Sequence, residues 1–151
     1  MKKNYVLMVM LFILAALTSC QQDESINTSQ LNGDWFVNRI ETTDASSLDD
    51  EDYTTSNSRI YDSYKLQNGA LMTTIRETSD FNKYFVVLYK HNGNNWEKVT
   101  QEHVTLDSKN KFDFYDRPCK FKSVRENELQ VKTRVGNTIL RYRLERTAIK
   151  P

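Results

Sequence analysis

Hydrophobic and polar positions along the chain fall into two regimes. Residues 5–17 form one unbroken apolar run. From residue 31 onward, short segments alternate apolar and polar positions with the period of two that half-buried strands require, and turn residues separate them. Residues 34–40 are apolar-rich. Residues 59–66 place Ile60, Tyr64 and Leu66 on one face with Asp62 among them, Asn68-Gly69 supplies a hairpin turn, and residues 70–77 return with Leu71, Thr73 and Ile75 on one face. Residues 83–91 are apolar on both faces, which predicts the most protected strand. The turn at 92–95 leads into residues 96–104, and shorter strands at 111–115 and 120–125 are joined by residues 116–119. Residues 128–135 point Leu129, Val131 and Val135 inward, and Gly136-Asn137 closes a hairpin onto residues 138–147. The pattern predicts an all-β fold of eight to nine antiparallel strands, a meander that closes into a barrel to protect its edges. One connection is long: residues 42–57, with the acidic run Asp49-Asp50-Glu51-Asp52. It lacks the spaced oxygen ligands and bend glycine of a calcium loop, and its length suggests a lid over the barrel mouth.

The apolar run of residues 5–17 follows a basic start, Lys2-Lys3, and is too short to span a bilayer as a helix, which needs roughly 20 residues. It reads as the core of a signal peptide. The residues that follow, Leu17-Thr18-Ser19-Cys20, resemble the lipobox of bacterial lipoproteins. That resemblance implies cleavage after Ser19 and acylation of Cys20, so the mature protein would be tethered to a membrane without crossing it. Each buried methylene of such an anchor contributes about 0.8 kcal/mol, and two or three chains hold firmly. Gln21, rather than Asp, after the cysteine implies the outer membrane, on either its periplasmic face or the cell surface. The chain thus divides into a signal peptide (1–19), a lipidated Cys20 with a polar tether (20–30), and one β domain (31–151).

Charge and composition narrow the chemistry. The full chain has 21 basic and 20 acidic side chains; the leader holds two of the basic ones, so the remainder carries a net charge of −1. That balance removes the electrostatic case for a nucleic-acid partner. After lipidation Cys119 is the one remaining thiol, best read as a buried apolar residue, and His91 and His103 sit at polar strand positions expected to be exposed. No Gly-x-Ser-x-Gly elbow is present. No catalytic residue, metal ligand or cofactor is expected, and the protein reads as a non-enzyme.

Leu31-Asn32-Gly33-Asp34-Trp35, opening the first strand, resembles the Gly-x-Trp signature of lipocalin-like proteins, and the terminal hairpin ending Tyr142-Arg143-Leu144-Glu145-Arg146 is similar to the way bacterial lipocalin-like domains end. The resemblance implies a lipocalin-like barrel in which Trp35 plugs one end, Arg146 (with Arg143 in reserve) packs across its ring, and Gly33 allows the close approach. A guanidinium over an indole gains about 0.5–2 kcal/mol. The mouth is then a place for a ligand. Tyr64, Tyr84, Trp96, Phe112, Phe114 and Tyr142 can all face one side of their strands, with Asp62 and Thr73 near them as polar anchors. An eight-stranded barrel either fills its interior or holds one small molecule. Two readings stay open: a carrier of a small apolar or amphipathic ligand, and a filled barrel that engages a protein partner of the cell envelope.

Overall fold

A computed structural model of the protein describes residues 26–45, 47–49, 57–63 and 66–151. The expected leader, Cys20 and Tyr64 lie outside the described residues. Nine strands follow a short 3₁₀ turn at Thr28–Gln30: β1 (Gly33–Asp44), β2 (Asn57–Ile60), β3 (Leu71–Glu77), β4 (Lys83–His91), β5 (Trp96–Thr105), β6 (Lys111–Phe114), β7 (Arg117–Val124), β8 (Glu128–Val135) and β9 (Thr138–Arg146). All pairings are antiparallel, in the order β5-β4-β3-β1-β9-β8-β7-β6, with β2 attached to β1. The fold is an all-β meander, nearly closed as a barrel.

The closure depends on β1, which serves three neighbours. It pairs with β9 along its whole length, from Trp35 opposite Arg146 to Asp44 opposite Thr138. Its other edge is divided. Gly33 to Phe36 pair with β3, and Arg39 to Thr42 pair with β2, on either side of a bulge between Val37 and Arg39. A bulge re-aims a strand and sharpens its twist, which lets one strand serve two differently directed partners. β4 too is held on both edges, by β3 and β5, and buries residues on both its faces, as its apolar pattern predicts.

The remaining joint lies between β5 and β6. The turn that links them is secured by the Asp107 amide donating to the Lys111 carbonyl (3.0 Å). Beyond it the two strands are not laddered, and the Tyr115 amide reaches across to Glu102 Oε2 at 3.0 Å.

Two local expectations are corrected by this topology. The described residues of 59–66 do not form a strand hairpinned onto residues 70–77. β2 ends at Ile60 because both edges of β3 are already taken by β1 and β4, and Ile60 and Leu66 are exposed. The Asn68-Gly69 turn does form, with Gly69 at φ +90°, but it docks on the end of β4 through the Gly69 amide and the His91 carbonyl (2.8 Å). The turn expected at residues 116–119 is instead Tyr115-Asp116, both with left-handed φ (53° and 57°). That is the conformation a two-residue hairpin of this twist demands. β7 therefore begins at Arg117, three residues before the position that alternation alone suggests.

The interior is packed by Trp35, Val37, Ile75, Tyr84, Val86, Phe112, Phe121, Leu129 and Leu144. At the end where β1 begins, Trp35 is fully buried, and its Nε1 donates to the Leu31 carbonyl at 2.9 Å. The Arg146 guanidinium lies over the indole, 4.3 Å from the ring centroid. Its nitrogens donate to the carbonyls of Glu126 (2.7 Å), Asn32 (3.0 Å) and Gln30 (2.9 Å). A Cβ on Gly33 would run into this guanidinium. Outside the barrel wall a second cluster forms, with Phe36 and Met72 as fully buried cross-strand partners and Trp96 edge-on to Phe36. His91 belongs to this cluster. It is buried, not exposed as expected, because its ring packs edge-on against Trp96 and its Nδ1 accepts the Gly93 amide at 3.1 Å.

Trp35→Ala is expected to destabilise the protein by about 3–5 kcal/mol in chemical denaturation, as for other buried aromatic truncations. A double-mutant cycle with Arg146→Ala should show coupling of at least about 0.5 kcal/mol. Additive losses would mean that the ring and the guanidinium do not work as a unit.

Candidate functional site

The barrel tapers in chemistry from one end to the other. Near Trp35 large side chains meet and fill the interior. Toward the opposite end the inward positions of β3, β7 and β8 are taken by Thr73, Cys119 and Thr133, and their small volume leaves a cavity of about 130 Å³. Its walls are chiefly apolar, including Leu71, Val131 and Phe114, and Tyr115 and Arg117 stand at the rim where β6 turns into β7.

Most polar groups on these walls are already engaged. Thr73 Oγ1 donates to the Val87 carbonyl at 3.0 Å, and Thr133 Oγ1 donates to the Pro118 carbonyl at 3.1 Å. Cys119 Sγ lies 3.5 Å from both Thr133 Oγ1 and the Arg117 carbonyl. Burial pushes its thiol pKa up, so it stays protonated and is a poor nucleophile. Burial likewise raises the Tyr142 phenol, which stays a neutral donor at physiological pH. Three groups remain uncommitted on these walls among the described residues: the Tyr142 hydroxyl, the Arg117 guanidinium, which lies 5.9 Å from the Tyr115 ring centroid, and at the rim the hydroxyl of the nearly half-exposed Tyr115. No group of three His, Cys, Asp or Glu residues converges among the described residues.

The residues expected to bind a ligand are dispersed by the fold. Thr73 and Tyr142 line the cavity. Tyr84 is buried in the core but is not part of the cavity wall. Trp96 faces the other way, into the outer cluster with Phe36 and His91, because its partner across the sheet is His91 on the outward face of β4. Asp62 is exposed and lines nothing here. Phe114, expected to face inward, does line the cavity. Arg117 and Tyr115 were missed. Placing the two-residue turn at Tyr115-Asp116 makes Phe114 and Arg117 direct cross-strand partners and gives Arg117 the inward parity of Cys119 and Phe121. A turn read one step later hides both.

The described residues of the long connection do not roof this cavity. They lie against the outer wall: Leu48 is buried, and its carbonyl accepts from Lys132 Nζ at 3.3 Å. The reason is electrostatic. Strand register lines up Lys111, Lys120, Lys132 and Arg141 side by side on the outer face of β6 to β9. Like charges directly opposite one another destabilise a sheet. Asp49 answers two of them, accepting from Lys111 at 2.8 Å and from Lys120 at 3.0 Å. At the other end of the row Glu41 sits among Arg141 (3.3 Å), Arg39 (3.4 Å) and Arg143 (3.7 Å). Arg143, the reserve for the stacking role on Trp35, is occupied here instead.

Hydrogen bonds from Lys111 and then Lys120 hold the Asp49 carboxyl down at a pKa of about 2, below the unfolded value of about 3.9. Its contribution to stability is therefore complete above about pH 4 and is lost as the pH falls toward 2. Asp49→Asn is expected to lower the melting temperature at neutral pH and to flatten the acid limb between pH 4 and 2. Because Asp49 is half exposed, added salt should shrink the difference from wild type. An acid limb unchanged in the variant would show that these ion pairs contribute nothing.

Neither protein-family models nor curated proteins match this chain, so what the cavity can do has to be read from its own walls.

Proposed function

We propose that the mature protein is a bacterial lipoprotein of the outer membrane, anchored through acylated Cys20, whose barrel holds a small apolar or amphipathic molecule without transforming it. The observation that carries the binding reading is the apolar cavity at the open end of the barrel. Specific small-molecule sites are apolar hollows with a few convergent polar groups, and this one has that character. Its chemistry favours holding over catalysis, since the thiol is kept protonated and the threonine hydroxyls donate to backbone carbonyls. The anchor reading rests on residues 2–20, and the side of the membrane on the tether, which suits both the periplasmic face and the cell surface.

A second reading has an observation of its own. Trp35, Tyr84, Phe112 and Phe121 fill most of the barrel. The hollow that is left is smaller than the roughly 300–1,000 Å³ of pockets for drug-sized ligands. A barrel so filled would work through its outer surface, as an accessory to another envelope protein.

Cys20→Ala is expected to abolish acylation and release the protein from membranes; a lipid-modified variant would end the anchor reading. For the cavity, organic extracts of natively purified protein are compared by mass spectrometry with a denatured and refolded control. A stoichiometric small molecule lost on refolding is the expected result. Extracts alike before and after refolding would favour the filled barrel.

A further inference from the structure

We infer that Arg117 and Tyr142 are the head-group anchor of the cavity, and that its ligand is a small carboxylate with an apolar body of about six carbons. This deepens the binding reading above and rests on it.

The head group follows from hydrogen-bond satisfaction. The hydroxyls of Thr73 and Thr133 are spent on the Val87 and Pro118 carbonyls, and the Cys119 sulfur faces Thr133 and the Arg117 carbonyl. The donors left on the cavity wall are the phenol of Tyr142, the guanidinium of Arg117 and, at the rim and nearly half exposed, the phenol of Tyr115. No Asp or Glu lines the cavity to answer that guanidinium. Of the acids nearby, Glu102 accepts the Tyr115 amide, and Asp113 sits across from Pro118 on the outward face of β6. A site offering a planar cationic fork and a neutral O–H, with no carboxylate among its walls, selects a planar anion with two acceptor oxygens. Arg117 is only partly buried, so it keeps some water on one side while presenting donors inward.

The body follows from volume and lining. A dry, apolar protein cavity of about 150 Å³ takes a molecule the size of benzene. The 130 Å³ here, walled by Leu71, Val131 and Phe114, takes a body of that order and no larger. A long acyl chain does not fit: each additional buried methylene would tighten binding about fourfold, and there is no further space to bury it.

The test is calorimetric titration of the purified full-length protein with hexanoate, benzoate, hexan-1-ol and dodecanoate. Hexanoate and benzoate are expected to bind at least about tenfold more tightly than hexan-1-ol, the difference made by charge-assisted hydrogen bonds. Dodecanoate should gain less than about tenfold over hexanoate, since its extra methylenes stay outside. Arg117→Gln should remove the preference for carboxylate over alcohol by weakening hexanoate far more than hexan-1-ol, and Tyr142→Phe should weaken hexanoate about three- to tenfold. The acid–alcohol comparison on the wild-type protein needs no variant to fold. Equal binding of hexanoate and hexan-1-ol would overturn the anchor while leaving the cavity reading intact. A larger gain for dodecanoate would overturn the size limit, and no binding of any probe at millimolar concentration would overturn both the anchor and the cavity reading.

Discussion

A guanidinium laid flat on an indole keeps its N–H donors free at its edge, and in Arg146 those donors join the beginning of the domain to its end. The ring beneath belongs to the first strand, the guanidinium to the last, and the carbonyls it reaches belong to the entering segment and the β8 approach loop. A meander has no covalent reason to close, because its first and last strands are far apart in sequence. Here the register of β1 on β9 is set at one end by Trp35 opposite Arg146. A slip of one residue would turn every side chain of β9 to the wrong face. Everything further along the barrel inherits that alignment, including the position of Tyr142 four residues before the arginine.

The barrel is therefore a graded object. At its pinned end bulky groups exclude space and water; at its free end threonine, cysteine and valine replace them, and the interior becomes hollow. Burial at the free end also keeps the Cys119 thiol and the Tyr142 phenol in their neutral forms. Packing and protonation state are set together, by where along the taper a side chain falls.

Much of this was legible in the chain. The strands at residues 128–135 and 138–146 alternate so cleanly that their edges and inward faces follow from the period alone. Gly33, Trp35 and Arg146 could be singled out as the barrel's end only through their resemblance to the opening and closing motifs of lipocalin-like proteins, since a glycine two residues before a tryptophan says little by itself. Two things were not legible. Local pattern cannot tell which edge of which strand is vacant, so residues 59–66 look like a partner for β3 although β1 and β4 already occupy it. Nor does alternation reveal that Tyr115 and Asp116 both adopt left-handed backbone, a choice more usual for glycine and asparagine. That one turn moved Arg117 out of a presumed loop and onto the cavity wall. Trp96 and His91 show the converse error: an aromatic and a histidine at strand ends bury each other on the outer face, where a barrel pattern leaves no room for a second core.

The joint between β5 and β6 gives this wall a mechanical character that its other joints lack. Elsewhere neighbouring strands are stitched by backbone bonds, and parting them means breaking several at once. Here, beyond the connecting turn, the bridge is a carboxylate side chain on one strand holding an amide of the other. The hoop is thus thinnest in backbone bonds at this clasp, and the clasp sits beside Tyr115, on the rim of the hollow.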